Sequence, residues 1–199
     1  MRIHASHLAV VFVSVAAVAT LRADWTGIAA TAAIDEGDLG KVVFNSDGSA
    51  QIRPTISSTS AKLRLTVSET PSLLMPNPRP DEVGQLVFVM RVRDNGPAAR
   101  VIATLKRVVV GFFIDRPRTD VAATIDTDQF DSPSDGWITA WANASHHYSS
   151  CCWIRNPQTG VREGLDFFDV GYFVEVQLIK NSAEGNPGVL SVAILRDQP

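Results

Sequence analysis

The chain predicts an all-β fold, an antiparallel β-sandwich, on three observations. Short apolar runs that alternate with a period of two recur along its length, as they do where one face of a strand is buried and the other wet. Turn-forming residues fall between those runs, and the 13 glycines and 11 prolines are spread rather than clustered. Beyond the first two dozen residues no segment keeps a helical period. Jelly-roll and immunoglobulin-like topologies both suit this pattern, and it does not separate them.

Residues 1–23 read as a leader. Arg2, His4 and His7 precede an apolar run from Leu8 to Ala19, and Ala17-Val18-Ala19 or Leu21-Arg22-Ala23 supplies the small residues of a cleavage site. The run is about a dozen residues long against the roughly 20 that span a bilayer. A secretory signal peptide is therefore expected, with secreted or periplasmic export and no transmembrane segment in the mature chain. Residues 24–199, roughly 175 in number, suit one domain with a real core.

Within that domain Asp24 to Gly40 is Ala-rich and then acidic, the mark of a short helix or an arm. Lys41 to Asn45 opens the β pattern, Asn45-Ser46-Asp47-Gly48 turns it, and Ser49 to Arg53 completes a first hairpin. From Ala61 to Ser68 the alternation is clean, with Ala61, Leu63, Leu65 and Val67 on one face. Pro71, Pro76, Pro78 and Pro80 then forbid a ladder, because proline has no amide proton to donate. Gly84 to Asp94 is the next strand, setting Leu86, Phe88, Met90 and Val92 against Gln85, Val87, Val89, Arg91 and Arg93. After Asn95-Gly96-Pro97 the chain returns over Arg100 to Lys106, and Val108 to Ile114 continues apolar on both faces.

Gly171 to Leu195 is the clearest stretch. Tyr172, Val174, Val176 and Leu178 share a face, Phe173, Glu175, Gln177 and Ile179 share the other, and Val189 to Leu195 follows an Asn-, Gly- and Pro-rich link. That arrangement predicts a C-terminal hairpin.

Chemistry-bearing residues are fewer. A net charge of −3 disfavours a nucleic-acid partner held by a basic surface. Six aspartates lie between Asp115 and Asp135. Calcium at Asp126, Asp128 and Asp131 is the metal reading, but their spacing does not fit the helix-loop-helix calcium pattern, and a solvated acidic loop is the simpler expectation, with no metal site. His146, His147, Cys151 and Cys152 form adjacent pairs, so each pair offers one ligand easily, and a bridge between neighbouring cysteines would be strained. Glu163, Asp166, Asp169 and Glu175 are the acids from which a glycosidase pair could come. No nucleophile elbow, phosphate loop or dinucleotide fingerprint occurs, so no catalytic residue is assigned.

The remaining feature is Gly136-Trp137-Ile138-Thr139-Ala140-Trp141-Ala142-Asn143. As a strand it puts Trp137, Thr139, Trp141 and Asn143 on one face, and Ile138, Ala140, Ala142 and Ala144 on the other. Either both tryptophans are core and a loop covers the alanines, or the alanine face is core and Trp137 and Trp141 stand outward, with Trp153 nearby, as a ligand-binding surface. Asn143-Ala144-Ser145 is also a glycosylation sequon.

Val101-Ile102-Ala103-Thr104-Leu105-Lys106-Arg107, Asp126-Thr127-Asp128, and the run Gly171 to Leu178 followed by Asn186-Pro187-Gly188-Val189-Leu190 carry a resemblance. Over its last half the chain resembles a loose group of uncharacterised secreted bacterial all-β proteins. The resemblance implies secretion and the C-terminal hairpin, and it implies no activity or site residue. The reading that results is a secreted or periplasmic, non-catalytic binding or structural module, whose partner would be an extracellular glycan or cell-surface component. An extracellular hydrolase acting on polysaccharide is the alternative.

Overall fold

A computed structural model describes residues 23–67, 85–109, 118–130, 133–147 and 170–196. They form eleven strands in two antiparallel sheets packed face to face, an all-β sandwich with no α-helix among the described residues. The strands are β1 (Ala23–Ile28), β2 (Ala33–Ile34), β3 (Val42–Phe44), β4 (Ala50–Ile52), β5 (Thr59–Val67), β6 (Gln85–Asp94), β7 (Ala99–Val109), β8 (Arg118–Asp126), β9 (Ser134–His147), β10 (Val170–Lys180) and β11 (Gly188–Arg196). The first sheet runs β3-β4-β11-β6-β9, with β1 beside β11 on the edge it shares with β4. The second runs β2-β5-β10-β7-β8.

Alternation decides which side chains meet between the sheets. Phe88, Met90 and Val92 of β6 and Val192 and Ile194 of β11 face Leu63 of β5, Leu105 of β7 and Val174, Val176 and Leu178 of β10, in one continuous buried cluster. Burying a side chain of this size stabilises the fold by about 1.5–3 kcal/mol. The first hairpin, β3 with β4, forms as its turn residues require, and Gly48 takes a positive φ of 87° that a side chain would resist.

The C-terminal hairpin does not form. β10 pairs with β5 and β7, whereas β11 pairs with β1, β4 and β6, so the link from Asn181 to Pro187 crosses from one sheet to the other. Each strand has one apolar face, and those faces meet across the core, about 10 Å apart, instead of lying side by side. The turn around Asn95-Gly96-Pro97 makes the same crossing, from β6 to β7.

The two crossings hold each other. Asn95 donates from Nδ2 to the carbonyl of Glu184 at 2.8 Å and accepts at Oδ1 from the Asn186 amide at 2.9 Å, and the Asn181 amide donates to the Ala98 carbonyl at 2.8 Å. Gly185 is buried in this contact, where a Cβ would collide with the Ala98 carbonyl.

Two further segments differ from expectation. Asp24 to Gly40 is neither a helix nor a loose arm: β1 pairs with β11 and sends Trp25 into the core at 7% exposure, and two short 3-10 turns and β2 follow. Ala23, placed at the end of the leader, is the first residue of β1. Within the acidic stretch, Arg118–Asp126 is a strand, because Ala123 and Ile125 alternate inward against Thr124 and Asp126. The proline-rich crossing after residue 68 and the apolar run beyond Val109 lie outside the described residues.

Candidate functional site

The outer face of the first sheet can be assembled row by row from its register. One row sets Trp137 of β9 beside Arg93 of β6, then Gly188 of β11, Gln51 of β4 and Val43 of β3. The next sets Thr139 beside Arg91, Ser191 and Ile28; then come Trp141, Val89, Ala193 and Thr26; then Asn143, Val87 and Leu195. The opposite side of β9 is turned to the core, with Ala140 fully buried and Ile138 and Ala142 packed against the cluster. Trp137 and Trp141 therefore stand outward on one face, about 13 Å apart at the strand rise.

Their settings differ. The Trp137 indole lies across the sheet, close enough to β11 that a Cβ on Gly188 would sit 3.4 Å from its ring, and the Arg93 guanidinium packs 5.2 Å from its centroid. Arg93 is fixed in turn by the Oδ1 of Asn186 at 2.8 Å, by the Asn186 carbonyl at 3.3 Å and by the side-chain oxygen of Gln51. This is a preset ring, half-buried and stacked on a cation. Trp141 is 56% exposed, beside the half-buried Val89 and Ala193, with Val87 and Leu195 in the next row. The result is an aromatic ring standing at the edge of an apolar strip.

Trp153, Asp131, Cys151 and Cys152, and Glu163, Asp166 and Asp169 lie outside the described residues. Of the calcium candidates, Asp126 binds Arg100 through 2.9 and 2.5 Å contacts and caps the Asp128 amide, while Asp128 lies 3.0 Å from the same guanidinium. The hydrogen bond from Arg100 holds the Asp126 carboxyl below the ordinary carboxylate range.

Glu175 sits on the outer face of the second sheet. Its carboxylate, 14% exposed, is reached by Lys106 at 2.9 Å, Lys62 at 3.5 Å and Arg64 at 3.6 Å. Burial pushes its pKa up, but the Lys106 hydrogen bond and the surrounding cations outweigh that and hold it low. A group held ionised in this way is poorly suited to act as a general acid.

Charge is distributed unequally between the two sheets. Among the described residues the ion pairs Lys62, Arg64 and Lys106 with Glu175, Arg64 with Asp35, Arg100 with Asp126 and Asp128, Arg107 with Asp120, and Lys41 with Asp38 all belong to the second sheet or to segments against its edge. Arg91 and Arg93, on the outer face of the first, are in none of them. Sequence reasoning placed these two arginines on the non-core face of their strand but gave them no role. Their spacing, two residues apart in an otherwise apolar run, was the available signal.

No protein-family model matches the chain, and no curated protein matches it. Among solved structures, the chain is similar to a family two carbohydrate esterase from Cellvibrio japonicus, with 10% identity, a TM-score of 0.35, and coverage of 87% of this chain and 34% of that one. The chain thus spans about a third of that protein's length. No helix among the described residues is long and apolar enough to cross a membrane.

Proposed function

We propose that this chain is an exported, non-catalytic binding module that holds an extended glycan against the outer face of its first sheet. The observation that carries the reading is Trp141, an exposed indole on a strand whose other face is core, beside an apolar strip and in line with the preset ring of Trp137. Sugar rings present apolar C–H faces that stack on indoles, and polar neighbours such as Thr139 and Asn143 suit hydroxyl groups. With the two rings about 13 Å apart, only a ligand longer than one small ring touches both.

Export rests on the leader read in residues 1–23, and N-terminal sequencing of the secreted product tests it: the expected start is after Ala19 or Ala23, and an intact Met1 contradicts it. The binding reading is tested by a glycan array probed with the mature chain and with Trp141→Ala. Retention of oligosaccharides by the native chain, reduced at least tenfold in the variant while its melting curve is unchanged, is the expected result. Equal retention by both proteins, or none by the native chain, overturns it.

A further inference from the structure

On top of that reading, and resting on it, we infer that the ligand is an acidic glycan, one bearing carboxylate or sulfate groups, and that Arg91 is the residue that takes its charge. Arg91 is exposed, and it lies beside Thr139, the residue midway between Trp137 and Trp141 on the adjacent strand. A chain lying along β9 over both indoles therefore passes within reach of this guanidinium, one inter-strand spacing of about 4.8 Å away.

Among the described residues no carboxylate forms an ion pair with Arg91. Around it on the outer face lie Gln51, Arg93, Thr139, Asn143, Ser191 and apolar or aromatic side chains. Asp47 and Asp135 are the acids described near this face. Asp47, in the turn between β3 and β4, accepts from the Ser49 hydroxyl at 2.6 Å and the Ser49 amide at 2.9 Å. Asp135 lies at the start of β9, beyond Trp137 and past a shift of register.

Arg93 adds a second positive charge to the same face. Its hydrogen-bond partners Gln51 and Asn186 are neutral, and Asp47 acts on it only through space, so its charge is offset in part and not consumed in an ion pair. The second sheet surrounds its cations with Glu175, Asp35, Asp126 and Asp128, whereas on the first the Arg93 guanidinium stacks on Trp137 and Arg91 lies beside Thr139. Arginine presents a planar fork that matches a carboxylate or sulfate in two parallel hydrogen bonds. The chain as a whole carries −3, so this positive face is local, and it favours an anion that also offers rings to stack.

The experiment compares matched probes by titration calorimetry at 50 and 300 mM sodium chloride: dextran sulfate against dextran, and polygalacturonate and alginate oligomers against their carboxyl-reduced forms. The native chain is expected to bind at least one acidic probe about tenfold more tightly than its neutral counterpart, with the margin shrinking at the higher salt. Arg91→Gln should abolish the margin and keep the neutral affinity, and Lys62→Gln on the other sheet should leave both unchanged. Acidic and neutral members bound equally, with Arg91→Gln silent, would overturn the inference and leave glycan binding standing. No binding to any probe or array glycan would remove both. Tighter binding of a single-stranded oligonucleotide, or self-association that shields Trp141 from iodide, would assign the face to a different occupant and overturn the inference.

Discussion

Two tryptophans of one chain should respond very unequally to the same substitution. Trp25 is core, so Trp25→Ala should cost about 3–5 kcal/mol through lost burial and the cavity left behind. Trp141→Ala, on the solvent side, should cost less than about 1 kcal/mol. Denaturant midpoints of the two variants check this, and comparable losses would mean that β9 presents its other face. A similar contrast holds on β10. Val176→Asp puts an unpaired charge at a fully buried position and should cost several kcal/mol. Glu175→Gln leaves Lys62, Arg64 and Lys106 without their common anion and should cost about 1–2 kcal/mol. Because the folded state holds Glu175 below its ordinary pKa of about 4.5, its contribution is present above that pH and drains away as pH falls through the folded value. Stability measured from pH 6 down to pH 2 should therefore fall less steeply for Glu175→Gln than for the native chain, and parallel curves would contradict the assignment.

At the level of elements, the interlocked crossings are the most specific feature of the fold. Gly185→Ala should destabilise it by several kcal/mol, since the added methyl meets the Ala98 carbonyl and both crossings would have to move. Replacing Gly37, which has open space around it, should be nearly silent in the same melting assay. The crossings also mark where sequence stops being informative. Tyr172, Val174, Val176 and Leu178 announce a strand and its buried face, and the structure agrees on both. Alternation reports burial, but it does not say whether the next strand lies beside the first or opposite it. An Asn-, Gly- and Pro-rich link serves either geometry, which is why Gly171 to Leu195 suggested a hairpin and forms a crossing. The strand Arg118–Asp126 was hidden for a different reason: its acids suggested solvent, yet Asp126 is spent on Arg100 and Asp120 on Arg107 at the sheet. The direction of the tryptophans was open in sequence because both faces of Trp137 to Asn143 are apolar enough for a core. Only the register of β9 against β6, which buries Ala140, decides it.

For the whole molecule the two outer faces are unlike. The second sheet carries an ion network, and the first carries an exposed and a half-buried indole, an apolar strip and, among the described residues, two arginines outside any ion pair. Arg100 pairs with both Asp126 and Asp128, and its single charge offsets part of theirs. Excess chelator should shift the melting temperature by less than about 1 °C, and a large fall restored by calcium would show a bound ion stabilising the native state. The face-to-face asymmetry itself is tested most directly by hydrogen–deuterium exchange of the mature chain with and without a glycan retained on the array. Protection is expected in peptides from β6 and β9, Gln85–Asp94 and Ser134–His147. Protection confined to β5 and β10, Thr59–Val67 and Val170–Lys180, would place the ligand on the opposite sheet and contradict the account.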